Sequence, residues 1–258
     1  MPASPFRRFD KIHNVRDFGG FESAGGGRVK RDLLWRAGHQ ADASDADLEA
    51  LDALALAHVV DLRGTRERAK WPSRRSERFD AQVIAFEGET AGLAPHMEAV
   101  KGALDVDSAR QAMIDLYAAL PEREGLNAVI PRYFAALAEG KGASLVHCAA
   151  GKDRTGIACD LVLHALGVHP DDRMQDYLLT NSAPDNEERI AHGLSMVGEK
   201  YGMRDAEAGR VIMGVEPAFL EAARASLVEA EGSIDAYLER RWGVDEEMKA
   251  KMRGHLCE

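Results

Sequence analysis

The chain has 258 residues, 45% of them hydrophobic, enough for a substantial core, and no polar stretch long enough to separate two domains, so one domain over 1–258 is expected. Its 43 acidic residues outnumber 33 basic ones, and the formal charge of −10 argues against a nucleic-acid surface or a generally basic membrane-binding face. Three cysteines form no closed disulfide set, and there is neither an N-terminal apolar segment nor an uncharged apolar stretch of about 18 residues, which argues against a Sec signal and a membrane span.

The Gly25-Gly26-Gly27 run between Phe18–Phe21 and Val29–Arg36 predicts a hairpin turn. Ser44 is a candidate N-cap for a helix over 45–57, with Asp47 in its first turn. His58–Leu62 and Gln82–Phe86 read as strands. Residues 95–120 and 122–139 have helical spacing broken at Pro121, and are either a cover over a site or a pair of ordinary peripheral helices. Residues 143–147 read as a short buried strand, followed by a helix over 152–166 with Ile157, Ala158, Leu161, Val162, Ala165 and Leu166 on its apolar side. Gly167 fits the position just past that helix and Pro170 the first residue of the next. A helical C-terminal region over 170–258 follows, with helices near 171–180, 185–200, 216–230, 234–241 and 245–255. This order predicts an α/β fold with a central, mostly parallel sheet flanked by helices. Sites in such sheets lie at the carboxyl ends of strands, where Cys148, Arg63 and Glu87 fall.

His147-Cys148-Ala149-Ala150-Gly151-Lys152-Asp153-Arg154-Thr155-Gly156 puts a cysteine and an arginine at Cys-x5-Arg spacing in a strand-to-helix turn. A loop ending at a helix N-terminus directs unpaired N–H groups into one concave space, and the helix dipole adds partial positive charge there. A phosphate dianion fits such a nest, here formed by Ala149 through Thr155. The same field favours a thiolate at Cys148, which is expected to titrate below the ordinary thiol value of about 8.5. Arg154 can offer a planar fork to two phosphoryl oxygens, and Gly151 lets the backbone approach them closely.

The run resembles the protein-tyrosine phosphatase signature His-Cys-x5-Arg-Ser/Thr, in the His-Cys-x-x-Gly-Lys-Asp-Arg-Thr-Gly version of the bacterial tyrosine/lipid phosphatases related to mycobacterial protein-tyrosine phosphatase B. Eight fixed positions make a chance match on the order of 10⁻¹⁰ per start point. His13-Asn14-Val15-Arg16-Asp17-Phe18-Gly19-Gly20, Trp35-Arg36-Ala37-Gly38, Val59-Val60-Asp61-Leu62-Arg63 with Glu67, and Asp176-Tyr177-Leu178-Leu179-Thr180-Asn181 resemble that family's secondary motifs in the family's order. Gly214-Val215 through Arg224, then Gly232-Ser233-Ile234 and Tyr237-Leu238, resemble its C-terminal region. The resemblance implies a protein-tyrosine-phosphatase-like fold and a phosphomonoesterase with Cys148 as nucleophile, acting on a phosphorylated protein, on a phosphoinositide or with broad dual or triple specificity. A phosphate-recognition module without turnover is the alternative of another class, against which the intact Cys148, Arg154 and Thr155 argue. It implies no metal and no cofactor. A cytoplasmic location is expected, although relatives of this family can be exported without a cleaved signal. The residues set neither an oligomeric state nor the physiological phosphoester.

The resemblance also implies that Asp153 protonates the leaving oxygen. The alternatives are a structural acid that complements the helix dipole and pairs with Lys152 or a nearby arginine, and Glu87 or Glu89 after the third strand as the donor. It implies that His147 holds the loop and stabilises the thiolate, and that Thr155 donates to the sulfur when it departs. Lys152 is either a solvated helix-start lysine or a contact to phosphate. Arg16 and Asp17 read as a pair beneath the loop, and Asp61 and Arg63 as another, with a substrate-facing role for Arg16 or Arg63 as the alternative. Trp71-Pro72-Ser73 looks like the Trp-Pro-Asp acid loop of other tyrosine phosphatases but ends in serine, which is no general acid near neutral pH. The run from Arg63 to Arg78, with seven basic and two acidic residues, is a solvated face or an attractor of anionic substrates. Cys159 lies about 10 Å along the helix from Cys148, too far for a bridge, and reads as a core thiol.

Overall fold

The computed structural model describes residues 4–88, 105–184, 186–191, 194 and 205–258. Five strands form one sheet: β1 (Arg16–Asp17), β2 (Leu34–Ala37), β3 (Leu56–Asp61), β4 (Gln82–Ala85) and β5 (Ala143–His147), in the spatial order β1-β2-β5-β3-β4. Among these five strands only the β1–β2 pairing is antiparallel. The expected α/β fold with a mostly parallel sheet is therefore the one that forms.

The strands alternate as a sheet buried on both faces must. Leu34, Val60 and Val146 face a large core, whereas Trp35, Val59 and Leu145 face a smaller one. The smaller core is closed by α1 (Asp45–Asp52) and by Ile12 and Val15 from the N-terminal segment. Ser44 caps α1 through a reciprocal pair with Asp47, as its sequence predicts. The helix stops at Asp52 rather than 57 because the chain turns at Ala55, with φ +47, to start β3.

The larger core is built from α3 (Val106–Ala119), α4 (Glu124–Glu139), α5 (Asp153–Ala165), α6 (Pro170–Leu178), α7 (Ala206–Met213), α8 (Pro217–Glu231), α9 (Ile234–Trp242) and α10 (Glu246–Leu256). Of the expected cover, 95–104 lies outside the described residues. α4 buries Leu126, Val129, Ile130, Tyr133 and Phe134 completely, so it is packed core. A short helix α2 (Thr65–Lys70) and α7 are additions to the expected elements. Part of the predicted 185–200 helix is seen as a helical stretch over 186–191. The glycine run closes a turn in which Ser23 N donates to Gly27 O at 3.1 Å, but regular pairing with β2 comes from Arg16–Asp17.

Candidate active site

The carboxyl ends of three parallel strands finish level, with Ala37 paired to His147 and His147 to Asp61. From His147 the chain turns through 148–152 into α5. Gly151 has φ +67, and a Cβ there would lie 2.5 Å from the Ala37 carbonyl, so no larger residue fits. Loop carbonyls find donors: Ala149 O accepts from His39 N at 3.0 Å, and Gly151 O from Asn14 Nδ2 at 2.9 Å and Arg36 Nη2 at 3.0 Å. By contrast, the N–H groups of Ala149, Ala150, Gly151 and Lys152 find no acceptor among the described residues. Four successive open donors before a helix are a cradle for an anion. Cys148, 2% exposed, begins this loop.

Arg154 stands in the first turn of α5, where Glu67 of α2 fixes the plane of its guanidinium through bonds of 2.6 and 2.8 Å. Leu62 O accepts from Arg154 Nη1 at 3.0 Å. Burial raises the Glu67 carboxyl, but the bonds from Arg154 outweigh it and leave its pKa below the ordinary value. Thr155 Oγ1 is buried without a partner among the described residues.

The Lys152 side chain is not solvated. It is fully buried, with Nζ donating to Ile212 O at 2.7 Å and Gly214 O at 2.9 Å beyond the end of α7, and pairing with Asp153 Oδ1 at 3.0 Å. The solvated-lysine reading is corrected by this burial, and the ammonium is held by two carbonyls and one carboxylate. Asp153, in the first turn of α5, accepts from Tyr117 Oη at 2.8 Å, and Tyr117 accepts from Tyr177 Oη at 2.8 Å. Gly156 makes room for Tyr177, whose ring would lie 2.9 Å from a Cβ there. Of the alternative donors, Glu87 is exposed and pairs with Arg68 at 3.4 Å, and Glu89 lies outside the described residues.

His147 is wholly buried, and burial lowers its pKa to about 4, so it is neutral near pH 7 and brings no positive charge to Cys148. Its Nδ1 lies 3.3 Å from Cys148 O, within reach to steady the loop. Arg63 clasps Asp61 through Nε at 2.9 Å and Nη2 at 2.7 Å. Its remaining bonds go to Trp71 O at 2.7 Å and Ser73 Oγ at 2.9 Å, so the Trp71-Pro72-Ser73 segment buttresses Arg63. The basic run is largely spent locally: Arg75 on Gln40 at 2.6 Å, Arg74 on Asp45 at 2.8 Å and Arg78 on Asp52 at 3.1 Å.

The expected Arg16–Asp17 pair does not form, because adjacent strand residues project to opposite faces. Arg16 Nε bonds Asp176 Oδ1 at 3.1 Å, whereas Asp17 accepts from Gly19 N at 2.7 Å and Asp32 N at 2.9 Å. Asp176 also receives Arg36 Nη1 at 2.6 Å. Sequence reading missed the roles of Asn14, Arg36, Glu67, Tyr117 and Asp176, although four of these lie in its secondary motifs. Arg189, in the stretch 186–191, has its pKa lowered, because desolvation outweighs the opposing charges of Cys148 and Asp153. Cys159 is buried, which pushes its thiol up to about 12 and leaves it inert. Among the described residues no three His, Cys, Asp or Glu stand together as a metal would require, and no helix is long and apolar enough to cross a membrane.

Residues 7–258 match the model of the tyrosine phosphatase family. The chain is 35% identical over 254 residues to a Cupriavidus necator protein assigned by its name to the tyrosine-protein phosphatases, covering 96% of this chain and 86% of that one. It is 31% identical over 250 residues to the triple specificity protein phosphatase PtpB of Mycobacterium tuberculosis, covering 86% and 90% of the two. A tyrosine-protein phosphatase of Nostoc commune is 32% identical over 200 residues, 74% of this chain and 64% of that one. With a family match running from Arg7 to the last residue, the chain belongs to the tyrosine phosphatase family and is a phosphatase hydrolase.

Proposed function

We propose that the chain is a cysteine-dependent phosphomonoester hydrolase of the protein-tyrosine phosphatase type. The observation that carries this reading is the run of open N–H groups from Ala149 to Lys152, bounded by Cys148 and by Arg154. In the first step the Cys148 thiolate attacks phosphorus, the P–S bond forms as the ester P–O bond breaks, and the leaving oxygen takes a proton from Asp153. In the second step water attacks phosphorus, Asp153 takes a proton back, and the thiolate departs as inorganic phosphate is released. Loop amides and Arg154 bear the charge on the phosphoryl oxygens throughout. Thr155 supplies its buried hydroxyl to the departing sulfur. The scheme uses no metal and no cofactor.

Phosphotyrosyl protein is the first substrate class. A broader range is the second reading, favoured by the relative named a triple specificity protein phosphatase. The phosphoinositide alternative loses the support of Lys152, whose ammonium is committed to Ile212 and Gly214. Turnover of phosphotyrosyl, phosphoseryl and phosphoinositide substrates tests this, with Cys148→Ser as control. The serine variant is expected to bind phosphate yet turn over nothing, and the wild type to be indifferent to a chelator. Substantial activity in Cys148→Ser would sink the cysteine mechanism.

A further inference from the structure

Two segments far apart in sequence converge on one carbonyl. Asn14 and Arg36 both donate to Gly151 O, at 2.9 and 3.0 Å, across 137 and 115 residues. Asp176 holds the other face of the arrangement, pairing with Arg36 at 2.6 Å and with Arg16 at 3.1 Å. Arg16 Nη2 donates to Asp176 O at 2.7 Å, and Nη1 donates to Asn14 Oδ1. That last bond decides which way the Asn14 amide faces: its oxygen is taken by Arg16, so its NH₂ is the end presented to Gly151. Asn14 itself has φ +54, a conformation asparagine tolerates better than most residues.

A trans peptide is planar, with its carbonyl and its N–H on opposite sides. Drawing Gly151 O down onto Asn14 and Arg36 therefore turns the Lys152 N–H up, where it joins the run of amides without acceptors. Gly151 is the residue at which this peptide has rotational latitude, since φ +67 is accessible to glycine at little cost. Two arginines on one carboxylate also leave an excess positive charge buried beneath the loop, as all three side chains are at most 2% exposed.

We infer that Asn14 and Arg36 are positioning residues that set the Gly151–Lys152 peptide so that the Lys152 N–H faces the bound phosphoryl group. The inference rests on the phosphate-cradle reading of the loop. It gives the His13–Gly20, Trp35–Gly38 and Asp176–Asn181 segments one shared task, and it makes Lys152 a backbone ligand whose side chain works elsewhere.

Asn14→Asp is the sharpest probe, being nearly the same shape. It keeps an oxygen for Arg16 but replaces the NH₂ facing Gly151 O with a second oxygen, which repels that carbonyl. Misdirecting one oxyanion donor is expected to lower kcat by about 100-fold, with KM for substrate changed far less. Arg36→Lys retains charge but loses the second N–H arm, and is expected to act in the same direction. A direct readout uses Cys148→Ser protein, in which the ¹H–¹⁵N resonance of Lys152 is expected to move on titration with inorganic phosphate. Adding Asn14→Asp should abolish that movement while Ala150 still responds. Unchanged kcat in both variants, or a Lys152 resonance that responds equally with and without Asn14→Asp, overturns the inference. If the wild type hydrolyses no phosphoester while the Lys152 amide still answers phosphate through Asn14, the positioning stands and the hydrolase reading falls.

Discussion

The Tyr117 hydroxyl donates to the Asp153 carboxylate at 2.8 Å from a helix 36 residues upstream. Tyr117 is itself held protonated: burial raises its pKa far above the ordinary value, and the adjacent Asp153 charge adds to the shift. A donor to a carboxylate favours the ionised form, so Tyr117 restrains the proton affinity of the proposed acid. Tyr117→Phe is expected to raise that affinity and move the basic limb of the kcat–pH profile upward. It also strands the Tyr177 hydroxyl, at a stability cost of about 1–2 kcal/mol. A pH–rate profile with a urea titration checks both, and an unmoved basic limb would separate Tyr117 from the proton transfer.

Asp153→Asn is expected to slow substrates with poor leaving groups far more than activated aryl phosphates, because only a basic alkoxide or phenoxide needs the proton. A leaving-group series on wild type and variant measures this, with Glu87→Gln and Glu89→Gln as controls. Equal losses across the series would assign Asp153 to holding the loop against Tyr117 and Lys152.

Arg154→Lys removes the planar fork and is expected to lower kcat more than it raises KM. Glu67→Gln acts on the same guanidinium from behind. It leaves a buried charge half compensated and is expected to cost about 3 kcal/mol of stability. Added phosphate should restore part of that loss, by pairing with Arg154 in the folded state alone. Thermal melts with and without phosphate decide the matter, and a variant as stable as wild type would mean that Glu67 is not what holds Arg154.

His147 makes stability depend on pH. Its folded pKa is lowered by burial to about 4, below the ordinary 6.5, so the unfolded chain binds the extra proton and stability falls as pH drops from 6.5 towards 4. The loss from this one group is about 2 kcal/mol by pH 5. Asp61 titrates lower: burial raises its pKa, but His147 and Arg63 bring it to about 2, so its contribution is lost as pH falls from about 4 to 2. Urea midpoints at pH 7 and pH 5 are expected to converge in His147→Asn relative to wild type.

The cysteine loop could be read from the sequence because its residues are contiguous, with Cys148, the open amides, Asp153 and Arg154 within one strand-turn-helix. The sheet class was legible for a similar reason, since apolar runs alternate with helices along the chain. α2 was hidden in a basic run with no apolar period, and α7 by Gly209 inside it. Arg16 beside Asp17 invited a pairing that strand geometry forbids, and the true partner, Asp176, lies 160 residues away. Asn14 and Arg36 stood in segments that drew attention as motifs, but their meeting point is a carbonyl, which leaves no trace in residue identity.

Lys152 carries a consequence for where this chemistry can be transplanted. Its ammonium caps carbonyls of Ile212 and Gly214, so the proposed phosphate loop is riveted to a helix that closes some sixty residues later. Grafted onto another strand and helix, the ten signature residues would carry a buried cation that keeps Asp153 but loses both of its carbonyl acceptors. The signature is a readable label, but the working unit is the label together with the C-terminal helices that anchor it.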